Sequence, residues 1–140
     1  MDKINCGRLV LAGLVAGVVL NIGEALLNTV VLGSQMEQIF RRFNVQPPGA
    51  RFIAIAVVMT FVLGLVIVFV YTLIRPRLGP GPKTAIWAAV IVWFCAAVYP
   101  VVLNALLFEL PVTLVAIGLV WALVEYSLAA LVGGSLYKES

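Results

Sequence analysis

The sequence predicts an all-α integral membrane protein: a four-helix bundle of up-down topology, in one domain spanning residues 1–140, with a short interfacial helix between the first two spans. Three observations carry this. Of 140 residues, 64% are hydrophobic and 11% charged, with mean hydropathy +1.16, whereas a soluble domain is about 45–50% apolar and about 25% charged. A soluble core of this length has no room for so much apolar surface. Four separate stretches each reach the roughly 20 residues that a helix needs to cross about 30 Å of hydrocarbon. The nine Lys and Arg residues stand in short clusters between those stretches. An ordinary cytosolic enzyme, a disordered chain and a nucleic-acid-binding domain are thereby excluded, and the net charge of +3 reads as membrane topology. With no histidine, imidazole-based haem and zinc sites are excluded too.

The first expected span runs from Leu9 to Gly33. Lys3, Arg8 and a loose Gly23-Glu24-Ala25 cleavage pattern suggest a signal peptide, but apolar residues continue through Leu26, Leu27, Val30, Val31 and Leu32, so a retained helix is expected. In the following loop Met36, Ile39, Phe40 and Phe43 recur at helical spacing, opposite Glu37, Gln38, Arg41 and Arg42. This is the pattern of a short helix in the interface. It reads first as an extension of the first span leaving the bilayer at an angle, and second as a lid or docking surface.

The second span covers Phe52 to Ile74. A turn rich in helix breakers, Arg75 to Lys83, separates it from the third, Ala85 to Phe108, which Thr84 is placed to cap. Pro100 removes a backbone donor and predicts a kink. Little more than Glu109, Leu110 and Pro111 precedes the fourth span, Val112 to Leu136, so the last two form a tight hairpin. Lys3, Arg8, Arg75, Arg77, Lys83 and Lys138 fall on one side, and Arg41, Arg42 and Arg51 on the other. That balance predicts both termini in the cytoplasm, and the expected location is a bacterial inner (plasma) membrane.

Small and polar residues mark helix contacts in lipid. Gly13, Gly17, Asn21, Glu24 and Asn28 share one face of the first helix, and Gly118, Ala122, Glu125, Ala129 and Gly133 one face of the fourth. Weaker stripes on the second (Ala56, Thr60, Gly64, Ile67, Tyr71) and third (Ala89, Trp93, Ala96, Pro100, Asn104) complete an expected inward-facing set. Helical rise puts Asn28 and Asn104 roughly 6–8 Å below the outer surface, Glu24, Tyr99 and Thr60 at roughly 12–14 Å, and Asn21 and Glu125 at roughly 18–20 Å. The expectation is a polar ladder reaching the bilayer middle. Cys95 reads as a small buried apolar residue. Trp87 fits the aromatic belt, and Trp93 and Trp121 divide between anchoring and packing.

A charge at the centre of a helix costs on the order of 2.5–3.5 kcal/mol on insertion scales, and intramembrane carboxyls mark proton relays, ion sites or polar-ligand pockets. The favoured function is therefore a small membrane protein that binds or moves a proton, a cation or a small polar ligand, with Glu24, Glu125, Asn21, Asn28, Asn104, Tyr99 and Thr60 as site candidates. The alternative is an accessory or assembly subunit packed against a larger membrane complex, with the glutamates as structural hydrogen-bonding groups. Expected partners are the lipid bilayer and either further copies of the chain or a larger membrane protein. No metal, cofactor or nucleic acid is expected, and no catalytic residue: neither a nucleophile nor a cofactor motif accompanies the acids. The Asn21-x-x-Glu24 first helix, the Gly-Pro turn and the stretch from Trp121 through Glu125 to Gly134 resemble small four-pass bacterial membrane proteins grouped as domains of unknown function. The resemblance covers most of the chain. It implies a fold and no activity.

Overall fold

The computed structural model describes residues 3–138, and among them every regular element is helical. Four helical spans are long and apolar enough to cross a membrane: Cys6–Val31, Ala50–Leu78, Pro82–Leu107 and Val112–Leu136. Two are interrupted. Helix α1 (Cys6–Leu26) widens into a π-turn over Leu27–Val31 before the chain bends at Leu32 into α2 (Gly33–Arg42). Helix α3 (Ala50–Leu78) is continuous. The third span is α4 (Pro82–Trp93), a π-turn over Phe94–Val98, and α5 (Tyr99–Leu107). Helix α6 (Val112–Leu136) has the boundaries expected from sequence.

In cross-section α1 and α4 occupy opposite corners, each packed on α3 and α6, and α3 and α6 touch across the middle. The core is built of short side chains. Ala12, Ala16, Ala85, Ala88, Ala89, Ala129 and Ala130 surround Leu20, Ile67 and Val68, all buried. Packing, not hydrophobic drive, holds helices together in lipid, so small residues that let backbones close up are the effective contacts. Gly64 shows the limit: a Cβ there would lie 2.5 Å from the backbone nitrogen of Gly17 and 2.7 Å from the carbonyl of Gly13. Gly133 seats α6 against Val68, Ala12 and Ala16 in the same way.

That closeness holds only at the end bearing the termini. Gly64, Ile67, Val68, Tyr71 and Thr72 of α3 are buried, but no residue from Ala50 to Thr60 is, and α5 buries none at all. Crossings through Gly-x-x-x-Gly are steep, about 40° in general, so helices tight at Gly13 and Gly17 part beyond them. At the opposite end α3 and α5 splay away, while α1, α2 and α6 stay packed around Leu27, Leu32 and Leu114.

Several expectations need correction. Thr84 does not cap the third helix. Gly81 holds the N-cap position, and the Thr84 hydroxyl donates back to the Gly79 carbonyl at 2.6 Å. Gly79 and Gly81 carry positive φ angles (83° and 133°), which glycine tolerates and which let the chain reverse within so short a turn. Pro100 acts through the π-turn just before it: its missing N–H loosens that turn, and the Tyr99 N–H bonds five residues back to Phe94. The face of the third helix is thereby rotated, so Ala96 and Asn104 do not face the interior, and Cys95 is exposed, not buried. Gly118 is no contact glycine, with nothing within 4 Å of a Cβ placed on it. The short helix continues the first span after a bend at Leu32, as the first reading expected, and it is packed down rather than free. Its Met36 and Ile39 pack against the buried cluster of Leu27, Leu32 and Leu114, and Arg42 donates to the Glu109 carbonyl at 3.1 Å.

Candidate functional site

Helices α1 and α6 pack side by side at mid-span, and there Glu125 meets Gly23. A Cβ on Gly23 would stand 2.8 Å from Cγ, Cδ and Oε2 of Glu125, so the missing side chain is what admits the carboxyl group. Glu125 is 4% exposed, and neither carboxyl oxygen has a hydrogen-bond donor. The carboxyl of Glu24 is its neighbour across the helix pair. Glu24 is half-buried and accepts a hydrogen bond from Asn28 Nδ2 at 3.3 Å. Trp121, one turn before Glu125, donates its indole N–H to the Gly23 carbonyl at 3.1 Å. The π-turn of α1 opens at Leu27, four residues past that carbonyl, and π-turns gather at functional sites.

Two ionised carboxylates offer each other only acceptors, whereas a proton on one makes it a donor to the other. Among the described residues no side chain hydrogen-bonds to the Glu125 carboxyl: Trp121 gives its indole N–H to a backbone carbonyl. A buried acceptor without a partner costs about 1–3 kcal/mol. Among the described residues no cluster of three or more His, Cys, Asp or Glu side chains is present.

The stripe that carries Glu24 passes from buried Gly13, Gly17 and Leu20 through half-buried Asn21 and Glu24 to exposed Asn28. Residues at this spacing keep one heading, so the partners opposite have moved away. The site therefore sits where the tight half of the bundle gives way to the splayed half. Towards the termini the interior is alanine, leucine and valine, and its buried threonines are satisfied within their own helices, Thr72 by Phe69 and Thr84 by Gly79.

The remaining sequence candidates do not join the pair. Asn21 donates to Gly17, Thr60 to Ala56 and Asn104 to Pro100, each four residues back on its own helix. A polar side chain surrounded by apolar groups is satisfied most cheaply by the nearest backbone carbonyl. Tyr99 is 62% exposed and far from the bundle interior. Glu24 and Glu125, expected one layer apart, are instead neighbours across the helix pair, with Glu125 seated on Gly23 next to Glu24. Gly23 and Trp121 were not candidates. The signal for Gly23 was its place beside Glu24 on a glycine-bearing face; for Trp121, its spacing of four from Glu125.

Four apolar spans define a small membrane protein, in which the buried Glu125 carboxyl lies beside the half-buried Glu24. No protein family, curated protein or solved structure matches the chain.

Proposed function

We propose that Glu24 and Glu125 form an intramembrane site for an exchangeable proton, or for a hard monovalent cation in its place. The observation that carries this is the enclosed Glu125 carboxyl, without a hydrogen-bond donor, beside a second carboxyl. A group placed only to fix helix register would be satisfied, since buried polar groups in native proteins nearly always are. Exchange proceeds through the splayed half, past Glu24 and Asn28, while the alanine-packed half keeps the other route shut. Glu24 is the exchanging member and Glu125 the deep one. Gly23 makes room, and Trp121 holds the two helices in register.

A hydrophobic carbodiimide, which couples to protonated carboxyls in apolar surroundings, tests this on the reconstituted protein. The expected result is an adduct on Glu24 or Glu125 that declines as pH or monovalent salt is raised, and proton-linked uptake in vesicles that Glu24→Gln and Glu125→Gln abolish without unfolding the chain. Absence of labelling at every pH, with uptake unaffected by both substitutions, would overturn it. The accessory-subunit reading draws on the faces of α3 and α5 that bury nothing within the chain. It predicts co-purification with a larger complex and indifference to both substitutions.

A further inference from the structure

A second site lies at the end of the bundle opposite the termini, between α2 and the first turn of α6. A cleft of about 280 Å³ opens there, and its walls include Gln35, Gln38, Ile39 and Arg42 of α2 with Thr113 and Leu114 of α6. Gln35, Gln38 and Arg42 are spaced three and four apart and so share one face of α2, while Glu37 and Arg41 pair with each other. Arg42 donates one hydrogen bond, to the Glu109 carbonyl at 3.1 Å, and its guanidinium lies 5.2 Å from the centre of the Phe43 ring. Among the described residues no carboxylate pairs with it and nothing else bonds it, so the rest of its planar donor set is unspent. Thr113 is exposed, and α6 starts beside it with no side-chain cap on its first N–H groups. Gln35 has the opposite need. Its Oε1 is buried and receives no hydrogen bond, a condition that native proteins nearly always relieve with a partner.

The cleft therefore calls for a molecule with two features: an oxyanion for Arg42 and Thr113, and a hydrogen-bond donor for Gln35. We infer that it binds a phospholipid whose headgroup carries its own donor, with the phosphodiester on Arg42 and Thr113 and a terminal hydroxyl or ammonium on Gln35 Oε1. Guanidinium and phosphate match in charge and in forked geometry. A volume of about 280 Å³ falls below the roughly 300–1,000 Å³ of sites for drug-sized ligands, so it suits a headgroup whose chains stay outside. Those chains have a surface to follow. Ile39 and Leu114 make one wall apolar, and Val112 beside them is 83% exposed on a helix that descends into the bilayer. An amphipathic helix such as α2, with Arg41 and Arg42 in its last turn, is at home at headgroup depth. The Glu24–Glu125 pair takes no part in this site.

The test uses the full chain in mild detergent and lipids of identical acyl chains, with retention read by native mass spectrometry and stability by thermal unfolding. Phosphatidylglycerol and phosphatidylethanolamine, which carry a donor, are expected to stay bound and to raise the unfolding temperature. Phosphatidylcholine, whose terminal group has none, should be retained about tenfold less. Arg42→Gln should lower retention of the first two about tenfold, while Arg41→Gln, the same change in charge at the neighbouring residue, leaves it intact. Gln35→Leu should bring both down to the level of phosphatidylcholine, whose own retention does not move. Because Thr113 is exposed, Thr113→Val keeps the fold and should still weaken retention several-fold. Equal retention of all three lipids, or equal losses from Arg41→Gln and Arg42→Gln, would overturn the inference in favour of diffuse surface attraction. Discrimination against phosphatidylcholine that survives Gln35→Leu would overturn it too. Water-soluble glycerophosphoethanolamine binding as well as the lipid would assign the cleft to free phosphodiesters and overturn it likewise.

Discussion

Replacing Gly64 with alanine tests the packing on which the carboxyl site depends. The new Cβ would lie 2.5 Å from the Gly17 nitrogen, 2.7 Å from the Gly13 oxygen and 2.8 Å from the Gly17 Cα. All three are backbone atoms, so no rotamer change relieves the overlap. Ordinary contact begins near 3.4 Å, and α1 and α3 must part by about 0.9 Å, which forfeits dispersion along the whole crossing. Overpacking costs about 1–3 kcal/mol and at times more; a clash confined to backbone belongs at the upper end, about 3 kcal/mol. Against this, alanine gains about 0.5–1 kcal/mol of helix propensity over glycine. The net expectation is a loss of about 2 kcal/mol, or some thirtyfold in the unfolding constant. Gly118→Ala is the matched control: with nothing within 4 Å, it keeps only the propensity gain and should be neutral to slightly stabilising. Reversible unfolding of the reconstituted protein in mixed micelles, followed by tryptophan fluorescence, measures both. Equal stability of Gly64→Ala and the parent chain, or equal losses from the two variants, would refute the reasoning.

Other perturbations separate the site from its scaffold. Gly23→Ala pushes against the flexible end of Glu125, not against backbone, so stability should fall by under about 1 kcal/mol while carbodiimide labelling is strongly altered; mass spectrometry of the adduct reads the difference. Glu125→Met removes an acceptor that has no donor and should hold or raise unfolding stability by about 1 kcal/mol, whereas a cross-bundle hydrogen bond would cost about 0.6–1.7 kcal/mol to lose. Trp121→Phe deletes the donor to the Gly23 carbonyl, with an expected loss of about 0.5–1.5 kcal/mol in the same unfolding assay. Pro100→Ala restores a backbone N–H beside the π-turn; slower amide exchange over residues 94–99 is expected, and unchanged exchange would count against the account of that turn.

What could be read in advance divides along a physical line. The four spans were legible because length and hydropathy alone decide whether a helix crosses a membrane, and the ends of α6 coincide with those expected. The glycine stripe of α1 was legible because spacing of three and four survives any detail of packing. The outer half of the third span was not. A π-turn inserts one extra residue per turn and changes the heading of everything after it, and Pro100 announces a weakness without saying how the chain absorbs it. The polar ladder failed for another reason. Asn21, Thr60 and Asn104 had an acceptor on their own helix, and a sequence stripe does not distinguish a side chain reaching across the bundle from one folded back on its own backbone. Glu125 has no such recourse, since a carboxylate cannot donate to a carbonyl.

That last distinction explains why this one pair stands out in a chain so poor in polar side chains. An amide or hydroxyl inside a membrane helix is satisfied at little cost by the carbonyl four residues back, so its presence asks little of the rest of the fold. A carboxylate offers only acceptors, and every backbone N–H near it is already spent in the helix. It must draw a donor from elsewhere, or hold a proton and become one. The chain spends Gly23 to bring Glu125 beside Glu24, and commits Trp121 to a carbonyl where it might have served the acid. The same region carries the first π-turn and the start of the splay. A fold selected only for close packing would have filled that gap with another alanine.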